Sequence, residues 1–278
     1  MNWRLSGFGD EITDLFPRQL GVMRTLGIPA IEIRQFQLEG GEKKVIVDAT
    51  PRDLDAIASA LESAGMHCSA IGSPVGKYRI DLPFEGDLER FRGAVRAALR
   101  LGAPYIRMFS YYPPEGGDIR DHRDEVIGRV SKLADYAARV APLVTLALEN
   151  ESELYGEKHE ECLDVLESVD APNLGMAFDP CNFIMAGIRP YEDAWPLLKE
   201  HVRYFHIKDA TAEKVIVPAG EGVARIPDIL AEAAREGIGD YLSLEPHLKV
   251  AARSHGETGP ELFKVAKEAL DKVLAGIG

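Results

Sequence analysis

The chain has 278 residues, 46% of them apolar, which is enough for a large core and too many for a disordered segment. Its formal charge of −13 repels polyphosphate backbones, and Lys43-Lys44, read as a solvated turn, is too short a basic patch to reverse that. No apolar run approaches the ~20 residues needed to cross a bilayer. The start, MNWRLSGFGDEIT, lacks a basic region followed by an apolar stretch, so a cytoplasmic chain without nucleic-acid or membrane partners is expected.

Strand-like and helix-like segments alternate from end to end. A first strand over Arg4–Phe8 leads into GFGDEI, which has two glycines but no third at the dinucleotide-binding spacing. Then come a short helix over Pro17–Leu26, a strand over Ala30–Arg34, a helix over Arg52–Ser63 and a strand over His67–Ile71. The periodicity next predicts a helix over Leu88–Leu101, a strand over Tyr105–Phe109, a helix over Arg123–Val140 and a strand over Val144–Glu149. A helix over Glu160–Val169 and a strand over Leu174–Asp179 follow, then a short helical segment over Tyr191–Leu198 and a strand over Val202–Ile207. The last unit is a helix over Pro227–Arg235, a strand over Tyr241–Glu245 and a helix over Glu261–Ala275.

Punctuation agrees with these boundaries. Gly27, Gly65, Gly102 and Gly237 follow helical runs where a left-handed terminus favours glycine, and Pro29, Pro104 and Pro172 precede strands. Eight βα units with no linker between them predict one α/β domain over 1–278, a single (β/α)₈ TIM barrel. A doubly wound open sheet is the competing fold. Cys68, Cys162 and Cys181 are odd in number and have no CxxC spacing, so they read as reduced, buried thiols.

Four residues carry the chemistry. Glu149, Asp179, His206 and Glu245 fall at the ends of the fifth to eighth predicted strands, in LVTLALE, LGMAFD, VRYFH and YLSLE. Parallel barrel strands all end on one face, so these side chains can meet there. Three carboxylates and one imidazole suit one divalent cation, manganese foremost, with magnesium, cobalt or zinc as alternatives.

ALEN (147–150), AFDPCNF (177–183), HIKDA (206–210) and LEP (244–246) resemble the metal-site motifs of xylose-isomerase-like TIM-barrel enzymes. GDEI (9–12), SPVGK (73–77) and ENESELYGE (149–157) extend the likeness over nearly the whole chain. The sugar phosphate isomerase/epimerase branch, with its ketose 3-epimerases, is the nearest likeness. The resemblance implies that Glu149 and Glu245 are both metal ligands and the acid/base pair of an isomerase or epimerase. Proton transfer would run through a metal-stabilised enediolate, with Asp179 and His206 as ligands only. It further implies a sugar or sugar derivative as the small-molecule partner and a homo-oligomer. A metal-dependent lyase or dehydratase on a keto-polyol shares the first chemical step, and a non-catalytic sugar-binding barrel is a further alternative. Where many epimerases have Asp-x-x-His, this chain has Asp179-Pro-Cys-Asn182, and Asn182 can hydrogen-bond a hydroxyl but cannot replace an imidazole as ligand.

Other residues are expected around the substrate. Lys208, two positions after His206, points to the same side of the strand end. Glu11, Arg34, Lys77 and Arg107 follow or end the first four strands, and Arg107 can fork across paired oxygens. His247 lies two after Glu245 and is a pocket candidate, whereas His67 starts its strand and reads as a core histidine. Phe109, Tyr111, Tyr112 and Phe183 could form an apolar wall, Tyr155-Gly156 part of a lid, and Glu151 a support for Glu149.

Overall fold

The computed structural model describes residues 3–248 and 258–277. Eight parallel strands form its sheet: β1 (Arg4–Gly7), β2 (Ala30–Ile33), β3 (His67–Ile71), β4 (Tyr105–Met108), β5 (Thr145–Glu149), β6 (Leu174–Phe178), β7 (Val202–Ile207) and β8 (Tyr241–Leu244). Neighbours in sequence are neighbours in the sheet from β2 round to β8, and β8 pairs with β1. A single parallel bridge, Phe8 to Glu32, closes β1 against β2, so the expected (β/α)₈ barrel is the observed fold.

Around it lie α1 (Phe16–Thr25), α2 (Pro51–Ala64), α3 (Phe84–Leu101), α4 (Arg123–Val140), α5 (His159–Val169), α6 (Pro180–Met185), α7 (Trp195–Leu198), α8 (Ile226–Glu236) and α9 (Pro260–Ile277). Their starts and stops follow local chemistry. Thr50 and Asp53 form a reciprocal capping box at α2, and Gly65, Gly102 and Gly237 end α2, α3 and α8 in the left-handed conformation.

Period-two alternation decides what each strand sends inward. Ala30, Tyr105, Ala147, Ala177, Tyr204 and Tyr241 pack together as one buried layer inside the barrel, while Leu146, Leu148, Met176, Phe178, Phe205 and Leu242 join the core beneath the helices. Two residues further along each strand, the same phase brings in Glu32, Arg107, Glu149, Asp179, His206 and Ser243, all buried. Glu245 continues the phase past the end of β8. Tyr204 stacks on Tyr241 with ring centres 5.6 Å apart, and Tyr105 packs 5.3 Å from Tyr204. These rings fill the lower barrel.

The structure departs from expectation in places. Five strands stop one residue early, at Gly7, Ile33, Met108, Phe178 and Leu244, although the Phe8 and Glu245 amides still donate to the neighbouring strands at Leu244 and Ile207. Lys43-Lys44 is no turn: Lys43–Val45 pairs antiparallel with Gln35–Gln37, and the two ammonium groups reach Asp14 at 2.7 Å and Asp53 at 2.8 Å. A second short hairpin, Asp209–Ala210 with Ile216–Val217, follows β7. The helix expected at Tyr191–Leu198 is a π turn over Pro190–Ala194 running into α7, and α6 precedes it. Cys68, Cys162 and Cys181 are free and buried. His255, expected at a solvated helix or loop position, lies outside the described residues.

Helix α3 approaches the turn over Ile46–Asp48 so closely that a Cβ on Gly93 would sit 2.1 Å from the Val47 carbonyl oxygen. Helix propensity alone favours alanine there by up to ~1 kcal/mol, but the clash with backbone outweighs it. Gly93→Ala is expected to destabilise by about 1–3 kcal/mol in urea unfolding. Gly21→Ala in α1, with nothing within 4 Å of the added carbon, is expected to be neutral or mildly stabilising. Equal effects at the two positions would contradict this packing.

Candidate functional site

Four strand ends converge at the C-terminal mouth. Glu149 closes β5, Asp179 follows β6, His206 lies near the end of β7, and Glu245 follows β8. One ligand atom from each lies within 4.8 Å of all the others, and all four residues are buried. Opposed ligands of one divalent ion stand about twice its ~2.0–2.2 Å bond length apart, so this spread is close to what a single ion requires.

Local sequence builds the cluster. In Asp179-Pro180-Cys181-Asn182, Asp179 is the N-cap of α6: its Oδ1 accepts from the Asn182 amide at 2.9 Å, with proline at the first helical position. That commitment leaves Oδ2 buried and without a hydrogen-bond partner, although the Lys208 ammonium lies 2.8 Å away in poor alignment. A buried carboxylate oxygen faced only by one ammonium, beside ligand atoms of Glu149, His206 and Glu245, fits a cation. Asn150, outside the expected set, clamps the same corner. Its amide donates to Asp179 O at 2.9 Å and accepts from Asp179 N at 3.0 Å. Asn182 Nδ2 in turn donates to Asn150 O at 2.8 Å, which leaves its Oδ1 as the atom open to a ligand hydroxyl.

Charge is unevenly shared. Six carboxylates (Asp10, Glu11, Glu32, Glu149, Asp179 and Glu245) face three permanent cations, Arg34, Arg107 and Lys208. The imidazoles of His206 and His247 and a divalent ion are what could make up the difference. Burial pushes the Glu149 carboxyl up, but neighbouring His206 and Arg107 outweigh it and hold it at about 2. Burial also pushes Asp179 up, and with Glu149 and Glu245 adding to it against Lys208, the group rises to about 6. Glu245 goes the other way, because Lys208 and His247 overcome its burial and hold it well below the carboxylate range. His206 is driven well above an ordinary imidazole, since Glu149 and Glu32 outweigh its desolvation. His247 rises to about 9: desolvation and Lys208 oppose the charge, and Glu245 and Glu11 favour it more.

The remaining expected residues fall into two groups. Lys208, buried, sits between Asp179 and Glu245 Oε2 (3.4 Å), while its neighbour Asp209 accepts backbone amides from Ala210, Gly220, Gly222 and Ala224. Arg107 Nη1 lies 3.1 Å from Glu149 Oε2 and 3.8 Å from Glu245 Oε1, bridging the two glutamates. Arg34 joins Asp10, Glu11 and Glu245 at 2.7–3.3 Å. His247 Nε2 is 3.0 Å from Glu11 Oε1 and 3.4 Å from Glu245 Oε1.

Glu11 and Lys77 stand further out. Glu11 ties Arg34 and His247 to Thr258 Oγ1, and Lys77 pairs with Glu151 at 2.6 Å on the rim, over the Phe109 ring. Glu151 therefore supports Lys77 and not Glu149. Tyr155-Gly156 is no lid: Tyr155 is buried with its hydroxyl on Asp164, and Gly156 N donates to Ser110. Tyr111 and Phe183 are fully buried packing, whereas Tyr112 is half-buried and lines a 710 Å³ cavity beside the rim with Arg79, Arg120 and Leu154. His67 lies at the other end, 3.2 Å from the Tyr241 hydroxyl.

Glu32 and Asp10 belong to the site although they lie outside the expected set. The signal for Glu32 was available: an acid between Ile31 and Ile33 in a strand must face inward if the isoleucines face the helices.

Comparison with solved structures finds the same architecture at low identity. A probable 3-DHS dehydratase, AsbF, from Bacillus anthracis aligns with TM-score 0.73 at 16% identity, covering 98% of this chain and 99% of its own. A D-allulose 3-epimerase from Methylomonas sp., solved with D-allulose, gives 0.74 at 14% identity, covering 99% and 97%. A xylose isomerase-like TIM barrel protein from Mycobacterium smegmatis, in complex with magnesium, gives 0.76 at 16% identity, covering 99% and 97%. No curated protein matches the chain in sequence. The family model of the xylose isomerase-like TIM barrel matches residues 20–271, nearly the whole barrel with its four-residue cluster, and the chain belongs to that family.

Proposed function

We propose that the chain is a divalent-metal-dependent isomerase that epimerises a sugar or sugar derivative by proton transfer next to a carbonyl. The observation that carries the reading is the meeting of Glu149 and Glu245, from strands that are not neighbours, around one set of ligand atoms. Glu149, Asp179, His206 and Glu245 would hold the ion, manganese foremost. When bound, a divalent cation supplies Lewis-acid stabilisation of the oxyanion that forms as the adjacent carbon loses its proton.

The chain's own groups do the rest. Glu149 and Glu245 are both held below the ordinary carboxylate range, so either is competent as base; the one that serves as donor would first be protonated from solvent, and the base would later return its proton there. Two carboxylates on different sides of the carbon allow the proton to leave from one face and return to the other. Lys208 supplies a buried ammonium for a substrate oxygen, and Arg107 keeps the two glutamates apart and oriented. Asn182 Oδ1, Lys77, Glu11 and His247 complete the substrate-facing set. Action as a single-domain homo-oligomer in the cytoplasm belongs to the same proposal and rests on the family resemblance and the character of the sequence.

Elimination is the second reading. It is favoured by His247, whose imidazole is held protonated near neutral pH within 3.4 Å of Glu245 and could protonate a departing oxygen.

Incubating the chain with keto-sugars in deuterated water and following products by NMR separates the two. Epimerisation predicts deuterium at the inverted carbon; elimination predicts a dehydrated product. Glu149→Gln and Glu245→Gln are each expected to lower the exchange rate by at least ~10²-fold. Turnover of any sugar at the wild-type rate in both variants would remove the acid/base assignment.

Metal binding should follow pH with a definite sign. It needs Asp179 ionised and His206 neutral, and both groups hold their protons above their ordinary values in the metal-free chain. Affinity for Mn²⁺ is therefore expected to rise from pH 5 to pH 8, with proton release on binding. Calorimetric titration in two buffers of different ionisation enthalpy measures both. Affinity that grows as pH falls would contradict the ligand set.

A further inference from the structure

Glu32 is a buried acid to which the proposed reaction gives no part. It lies in β2 and is 0% exposed, and its Oε2 lies 3.2 Å from His206 Nε2 and accepts from Ser243 Oγ at 2.8 Å. Its Oε1 is buried without a partner. A carboxylate kept inside a barrel with one oxygen unsatisfied is unfavourable unless something nearby requires the charge. The isoleucines on either side of it in sequence face the helices, so strand alternation turns Glu32 into the barrel.

What adjoins it is one edge of an imidazole whose other edge faces the cluster. His206 Nδ1 lies 2.7 Å from Glu149 Oε1 and 3.7 Å from Glu245 Oε2. The ring is held between Phe8 and Tyr204, whose ring centres lie 5.2 and 5.7 Å away. In the metal-free chain both ring nitrogens face carboxylates; once Nδ1 gives up its proton to a cation, the acceptor at Nε2 keeps the remaining proton there and leaves the Nδ1 lone pair directed at the other ligands.

We propose that Glu32, itself oriented by Ser243, is a positioning residue that fixes the tautomer and angle of His206, so that Nδ1 joins Glu149, Asp179 and Glu245 around a divalent cation. This rests on the metal reading above. Glu32 does not touch the ion or the substrate; it acts through His206.

The test uses the full chain, stripped with chelator and titrated with Mn²⁺ by calorimetry and pulsed electron paramagnetic resonance. Glu32→Gln keeps the shape of the side chain and removes the charge. It is expected to weaken Mn²⁺ binding by about 10- to 100-fold and to diminish the ¹⁴N coupling from the bound imidazole, with the circular dichroism of the metal-free chain unchanged. Ser243→Ala, which leaves the charge in place, is expected to weaken binding by roughly 2- to 5-fold. A Glu32→Gln chain that binds Mn²⁺ within a factor of two of wild type, with the same ¹⁴N coupling, overturns the inference and leaves the metal reading standing. If Glu32→Gln does not fold, unchanged affinity in Ser243→Ala overturns it instead. A wild-type chain that binds neither Mn²⁺, Mg²⁺ nor Co²⁺ brings down the metal reading and this inference together.

Discussion

Like charges gathered out of water repel, and the mouth of this barrel is organised around that repulsion. Glu149, Asp179 and Glu245 cannot approach one another inside a protein unless positive charge is interleaved among them. Arg107 is wedged between Glu149 and Glu245, Lys208 between Glu245 and Asp179, and Arg34 gathers Asp10, Glu11 and Glu245. Each cation is shared by at least two acids. The site is thus a mesh, not a set of pairs, and changing any one charge alters the protonation of several others.

Backbone devices hold the mesh in register. Asp179 caps α6 with one oxygen and presents the other, so the turn that starts the helix also aims the carboxylate. The Asn150–Asp179 clamp joins the ends of β5 and β6 through two hydrogen bonds, which fixes Glu149 relative to Asp179 independently of any bound ion. Asp209 does the same for the loop after β7, where its four backbone bonds anchor the segment that follows Lys208. Preorganisation of this kind removes reorganisation from the chemical step.

The barrel and its mouth were legible for one reason: period-two strands and glycine-ended helices are local patterns. Glu149, Asp179, His206 and Glu245 share an inward phase with Ala147, Ala177, Tyr204 and Tyr241, and that phase can be counted along the strand. What local pattern does not carry is which partner a long side chain selects. Lys77 pairs with Glu151 on the rim, and Tyr155, expected in a lid, is buried against α5. The short hairpins were missed because two- and three-residue strands leave no periodicity to count. Asn150 escaped notice because its role depends on a neighbour 29 residues away in sequence.

The tyrosine layer beneath the site bears on its rigidity. Tyr105, Tyr204 and Tyr241 pack ring against ring across the lower barrel, directly beneath the layer that holds Glu149 and His206. Each ring touches the other two, so none can tilt alone, and the carboxylates above inherit a floor that does not yield.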